Sequence, residues 1–270
     1  MSEHDEVDHA TAAPNEKGYG MRRISVRLLI PNLLTLLAIC AGMTGIRLAF
    51  EGRFEIAVVM VLGAAFLDGI DGRAARMLKA TSNFGAQMDS LADIVNFGVA
   101  PALVLYAYLL DQAGSFGWIA AMLYAIACGL RLARFNVMLE DPNRPIWQKA
   151  YFVGVPAPAG AGLVMLPVYF GFLGVEGGRG FAFAAVVFTL VVAWLLVSKL
   201  PVYSGKSVGQ RIPRDAVIPI ILGVVAYVLF LTSYTWETLV VTALAYAIFL
   251  PFSVRAYRKR DVLEANKARA

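Results

Sequence analysis

Four aspartates, Asp68, Asp71, Asp89 and Asp93, fall within a 26-residue stretch of otherwise largely apolar sequence, DGIDGRAARMLKATSNFGAQMDSLAD. Asp68 and Asp71 are three residues apart and Asp89 and Asp93 four, so on helices each pair projects from one face, one turn apart. Two such faces brought together would concentrate carboxylates in a low-dielectric setting, where they repel and take up protons unless a cation of high charge density lies between them. Oxygen-only ligands of this kind suit Mg²⁺ or Mn²⁺. The alternative is a structural ion-pair network with Arg73 and Arg76, which would need neither the glycines nor the spacings of the stretch.

The elements that must position these acids are hydrophobic. Of 270 residues, 59% are hydrophobic and only 16% charged, with a mean hydropathy of +0.66, the composition of a polytopic membrane protein. The only histidines, His4 and His9, lie in a polar N-terminal tail, and Cys40 and Cys128 are isolated within apolar runs. Zinc sites, histidine-based catalysis and CxxC redox chemistry therefore lack material, and the cysteines read as helix packing. The net charge of +5 comes from cations gathered beside the apolar runs, which speaks for a membrane surface and against nucleic acid.

In chain order, residues 1–18 read as a disordered cytoplasmic tail. Residues 19–28 form either a short basic helix lying on the membrane or a plain basic flank. Eight apolar spans of bilayer-crossing length follow, near 29–50, 54–78, 85–110, 116–136, 155–173, 180–200, 215–232 and 235–254. The expected fold is all-α: a six-span core over 29–200, a cytoplasmic loop over 201–214, two further spans over 215–254 and a basic cytoplasmic tail over 255–270. Of the 24 lysines and arginines, all but Arg47, Arg53 and Arg179 then fall on one side. By the positive-inside rule that side is the cytoplasm, and both termini face it.

Depth follows from the same frame. Asp68 lies fourteen residues into the second span, about 21 Å from its outer end. Asp89 and Asp93 lie about 6 and 12 Å inward from the cytoplasmic start of the third. Both acidic faces arrive in the cytoplasmic half of the membrane, a level open to a substrate with a polar head and acyl tails.

With Gly72, Ala75, Arg76 and Gly85 included, the stretch reads D-x2-D-G-x2-A-R-x8-G-x3-D-x3-D, and it resembles the CDP-alcohol phosphotransferase family. The resemblance implies six catalytic transmembrane helices, commonly a homodimer, that move a phosphatidyl or similar group from a CDP-linked lipid to an alcohol and release CMP. It further implies that Asp68, Asp71 and Asp89 hold two divalent ions, that Asp93 joins them and acts as general base, and that Gly72, Arg76 and Ser82 contact the cytidine nucleotide, with Ala75 and Gly85 completing the motif there. The chemistry of these residues accords with such roles. Dications neutralise a diphosphate, glycines permit close approach, and an arginine fork matches phosphate. Asn32 and Thr35 either reach the nucleotide or cap and pack the first helix.

Outside that motif, PNLLT from Pro31, SLADIVNFGVAPA from Ser90, RLARFN from Arg131 and FVGVPAPAGAG from Phe152 resemble the bacterial, membrane-embedded branch of the family. That branch takes CDP-diacylglycerol as donor and L-serine as acceptor, at the cytoplasmic face of the inner membrane. The resemblance covers residues 22–162, and Asn96 stands where members often have serine. Arg131 and Arg134 are candidates for the acceptor carboxylate or the donor diphosphate, with structural anchoring as the alternative. Pro156 and Pro158 read as shaping the start of the fifth span. Rival acceptors are glycerol 3-phosphate, an inositol phosphate or choline. A cation transporter would instead place its acids near mid-membrane on broken helices, and no internal repeat supports that reading.

Overall fold

The computed structural model describes residues 26–80, 82–139, 151–203 and 214–267. The N-terminal tail, residues 19–25 of the basic flank, the loop carrying Arg144 and Lys149, and the loop carrying Lys206 and Arg211 lie outside the described residues.

The chain begins with two long helices, α1 (Val26–Phe50) and α2 (Phe54–Met77), joined by a short turn in which Gly52 takes a φ of 76°. They pack tightly because α1 offers a glycine at the contact. A Cβ on Gly45 would stand 3.0 Å from both the Ala57 carbonyl oxygen and Val61 Cγ2. A stop signal then ends α2. Lys79 enters the left-handed region at a φ of 52°, the Ala80 N–H donates to the Ala75 carbonyl at 2.9 Å, and the Lys79 N–H donates to Arg76 at 3.2 Å, the bonding pattern of a Schellman cap. Within three residues Ser82 opens α3 (Asn83–Asp93) by accepting the Gly85 N–H on its hydroxyl oxygen at 3.0 Å.

After Asp93 the helix widens into a π-turn, Ile94–Val99, and resumes as α4 (Ala100–Tyr108), so Asn83–Tyr108 forms one apolar span. The wide turn is held from α5 (Ser115–Leu139). The buried Tyr124 hydroxyl donates to the Phe97 carbonyl at 2.9 Å, and a Cβ on Gly98 would lie 3.2 Å from that of Cys128. Strand β1 (Tyr151–Val153), helices α6 (Ala157–Val164), α7 (Leu166–Phe172) and α8 (Arg179–Val197), strand β2 (Pro201–Tyr203), and helices α9 (Arg214–Ser233) and α10 (Thr235–Lys267) complete the described chain.

Two points depart from an eight-span, wholly helical reading. First, β1 and β2 pair antiparallel, with Tyr151 opposite Tyr203 and Val153 opposite Pro201. This small ladder ties the residues ahead of α6 to those following α8. Second, among the described residues six stretches are long and apolar enough to cross a bilayer: Leu29–Phe50, Asn83–Tyr108, Ser115–Met138, Arg179–Val197, Ala216–Ser233 and Thr235–Arg258. Helix α2 has the length but carries Glu55, Asp68 and Asp71. The apolar segment Ala157–Phe172 is interrupted at Met165, because Pro167 in the first turn of α7 has no N–H to continue the α6 ladder.

The packing is that of a membrane protein. Alanines such as Ala38, Ala57, Ala92, Ala100 and Ala120 are fully buried, while Phe66, Leu91, Trp194 and Leu222 are exposed. In lipid an exposed leucine loses nothing, so close backbone approach between small residues provides cohesion in place of hydrophobic burial. Fully buried large side chains, including Phe97, Leu105, Tyr124 and Tyr169, fill the centre between α4, α5, α7 and α8. Helix α9 packs against α10 and buries none of its apolar span. Helix α10 is the one that joins the core, against α6, α7 and β2. It continues helical to Lys267, through most of the expected basic tail.

Candidate active site

The turn at Lys79 folds α3 back beside α2, so the two acidic faces meet. Asp68, Asp71 and Asp89 each offer a carboxylate oxygen within 4.8 Å of the others. The Asp93 carboxyl group lies within electrostatic reach of Asp68, Asp71 and Asp89, which sets the fourth acid beside the cluster. Asp71 is the deepest at 2% exposure, and its Oδ2 accepts the Thr35 hydroxyl of α1 at 2.6 Å. That hydroxyl also lies 3.1 Å from the Pro31 carbonyl.

The donor set fits a divalent cation. Asp71 Oδ1 and Asp68 Oδ1 are buried and have no hydrogen-bond partner, an arrangement costing about 1–3 kcal/mol for each unmet group unless something else meets it. The alternative of a structural network with Arg73 and Arg76 is not formed. Among the described residues the ion pair within bonding distance joins Arg47 to Glu51, remote from the acids. All four ligand candidates are carboxylates, the oxygen donors that Mg²⁺ and Mn²⁺ take.

Beside the cluster opens a cavity of about 220 Å³ between α1, α2 and α3. Asp71 and Asp89 line it, together with every residue expected at the nucleotide: Asn32, Thr35, Gly72, Ala75, Arg76, Ser82 and Gly85. The glycines are used differently. A Cβ on Gly72 would meet only the Arg76 guanidinium, at 3.9 Å, so the glycine leaves backbone open to the cavity. At Gly85 a Cβ would press on Asn32 Oδ1 and Ser82 Oγ, both at 3.1 Å, so this glycine lets α1 and the α3 cap close together. Ser82 therefore serves the backbone as well as facing the cavity.

The two arginines of α5 part company. Arg131 is buried, at 7% exposure, stacks over the Phe135 ring at 5.5 Å and lies within electrostatic reach of Asp93. Arg134 instead donates to the Val197 carbonyl at 2.6 Å and approaches that of Ser198 at 3.5 Å, at the C-terminus of α8, where a cation meets the negative end of the helix dipole. It does not line the cavity.

Two further polar residues were not expected at the site, although Asn96 was marked as standing where family members often have serine. Asn96, on the π-turn one turn beyond Asp93, is fully buried with both side-chain polar atoms unpartnered, and a Cβ on Gly42 of α1 would stand 2.6 Å from its Oδ1. Its place three residues beyond Asp93 was visible, but the widened turn that buries it was not. Tyr246 of α10 buries an unpartnered hydroxyl near Arg131. Nothing in its apolar surroundings, LAYAIF, sets it apart.

Comparison with known proteins agrees with this geometry. A family model described as CDP-alcohol phosphatidyltransferase matches residues 28–199, and a second, CDP-alcohol phosphatidyltransferase 2, matches residues 215–251. The CDP-diacylglycerol–serine O-phosphatidyltransferase of Mycobacterium leprae is 39% identical over 241 residues, covering 88% of this chain and 78% of the relative. The protein of the same name from Mycobacterium tuberculosis is 39% identical over 246 residues, covering 90% and 83%. That of Helicobacter pylori is 37% identical over 203 residues, covering 73% and 81%. With the motif carried on α2 and α3 and the family match running from α1 to the end of α8, the chain belongs to the CDP-alcohol phosphatidyltransferase family.

Proposed function

We propose that the protein transfers the phosphatidyl group of CDP-diacylglycerol to the hydroxyl of L-serine, giving phosphatidylserine and CMP. The observation that carries the reading is that the cluster of Asp68, Asp71 and Asp89 adjoins a cavity between α1, α2 and α3 that the residues of the nucleotide motif line. The relatives named for the serine reaction supply the acceptor.

In this reading the cytidine diphosphate enters the cavity over the open backbone at Gly72, and the Arg76 guanidinium grips phosphate oxygens. Asp68, Asp71 and Asp89, with Asp93, hold divalent ions, Mg²⁺ or Mn²⁺ and two per site, which when bound neutralise the diphosphate and stabilise charge on the leaving oxygen. Thr35 fixes the rotamer of Asp71 through its 2.6 Å bond. Asp93 takes the proton of the serine hydroxyl as that oxygen forms a bond to the phosphorus of the phosphatidyl group. The bond from that phosphorus to the bridging oxygen breaks in line, and CMP leaves with the electron pair. Arg131 lies within electrostatic reach of Asp93 and sets a positive charge on that side of the acids.

The same reading sets the enzyme in the bacterial inner membrane as a homodimer. It crosses eight times, with α2 and the α6–α7 segment as the two further crossings, both termini cytoplasmic and the acid cluster open to the cytoplasm. The asymmetry of its cations supports the orientation.

The test is an assay of purified protein with CDP-diacylglycerol, a divalent ion and a panel of alcohols, reading CMP release. Serine-dependent release is expected. Release with glycerol 3-phosphate, inositol phosphate or choline but not with serine would overturn the acceptor while leaving the family in place.

A further inference from the structure

Arg131, within electrostatic reach of Asp93, and Tyr246, within reach of Arg131, each bury a polar atom that has no partner. The Tyr246 hydroxyl on α10 is buried without a hydrogen bond, and so is Arg131 Nε on α5. Each is a donor, and leaving a donor buried and unmet is costly enough that such groups mark places where something else binds. The pair is also mutually placed. Arg131 lies within electrostatic reach of Tyr246 and of Asp93, its guanidinium held over the Phe135 ring at 5.5 Å. Neither residue lines the nucleotide cavity, whose acidic wall is Asp71 and Asp89. Asp93, which Arg131 reaches, does not line that cavity either. The Tyr246 ring itself borders an apolar cavity of about 200 Å³ with Leu62, Gly162 and Tyr169. Its hydroxyl is thus a donor set in an apolar wall.

We propose that Tyr246 and Arg131 bind the carboxylate of the acceptor amino acid, the hydroxyl and the guanidinium N–H donating to its oxygens, so that the acceptor's own hydroxyl is presented to Asp93. Two donors beside a fixed positive charge favour an anion. A carboxylate one carbon removed from the reacting hydroxymethyl group places that hydroxyl on the Asp93 side of Arg131. The inference rests on serine as the acceptor. It also assigns a task to α10, which lies beyond the core of the fold: the last helix closes the acceptor side of the site.

The test is Tyr246→Phe, which keeps the ring against its cavity and removes only the hydroxyl. The KM for serine is expected to rise about 10- to 100-fold, as for loss of a hydrogen bond to a charged group, with the KM for CDP-diacylglycerol unchanged. Preference for L-serine over L-serinamide, which lacks the carboxylate charge and is measured as acceptor or as competitor, should fall by a similar factor. Arg131→Lys should lose the same preference, since an ammonium lacks the fork. A packing role for Tyr246 would lower thermal stability and leave the serine-to-serinamide preference intact, and that result overturns the proposal. A rise confined to the donor KM overturns it too, assigning the hydroxyl to the diphosphate. Wild-type protein that releases no CMP with serine defeats the serine reading itself, whereas serine turnover and preference that survive Tyr246→Phe unchanged defeat only the role of Tyr246.

Discussion

At the scale of residues, the site sets carboxylates that must bear charge together beside groups that restrain them. Asp71 is 2% exposed, with one oxygen bonded to Thr35 and the other unmet. Asp71→Asn or Asp68→Asn should abolish CMP release while the protein remains folded in detergent. Full activity of the wild-type protein in excess chelator would defeat the metal reading on which that rests. Thr35→Val keeps the shape and removes the bond that orients Asp71. The metal concentration for half-maximal activity should rise about 10- to 100-fold, the range for loss of a second partner behind a metal ligand, and excess metal should restore much of the rate. Asp93→Asn removes a proton acceptor at constant shape. Turnover at saturating metal should fall about 10²- to 10⁴-fold with donor affinity changed much less.

At the scale of elements, the α2–α3 turn decides whether the two acidic faces meet. Lys79 holds a left-handed φ of 52° at a position where helices usually place glycine. Lys79→Gly should raise the thermal midpoint, because relief of about 1 kcal/mol of backbone strain exceeds the entropy that glycine adds to the unfolded chain. A lower midpoint would show that the lysine side chain matters more than the φ. Arg134 joins the end of α5 to the end of α8 through the Val197 carbonyl. Arg134→Met should therefore destabilise by about 1–3 kcal/mol with the KM values for serine and CDP-diacylglycerol little altered. A selective rise in either KM would place Arg134 at substrate instead.

At the scale of the whole molecule, cohesion comes from small residues and orientation from charge. The alanine-rich interior and leucine- and phenylalanine-rich exterior are what a lipid solvent permits, and the arginines and lysines beside the apolar spans set which way the chain faces. With Cys40 and Cys128 replaced by serine, a cysteine placed at Glu176 should react with an impermeant reagent added outside intact cells. One placed at Asn143 should react only after the membrane is opened. The reverse pattern would invert the topology, and with it the cytoplasmic placing of the acids.

Much of the site was legible in sequence, because its information is local. Three- and four-residue intervals put Asp68 with Asp71 and Asp89 with Asp93 on shared faces whatever surrounds them, and helical rise alone brings the two faces to one level. The glycines and Arg76 sit at fixed intervals from those acids, so their sharing of one cavity follows once the turn is made. Apolar run length likewise indicated a helical membrane protein, although it gave no sign of the break at Pro167 in the run near 155–173 and missed the pairing of β1 with β2. Neither a break in hydrogen bonding nor a pairing across some fifty residues leaves a mark on hydropathy. What only the tertiary structure decided are the relations between distant helices: that Thr35 bonds Asp71, that Arg134 turns to α8 while Arg131 stays by Asp93, and that Tyr246 of the last helix comes within electrostatic reach of Arg131. These depend on how helices rotate against one another. A few tens of degrees about a helix axis separate a residue that faces lipid from one that faces the site, and that angle is set by packing over the whole interface.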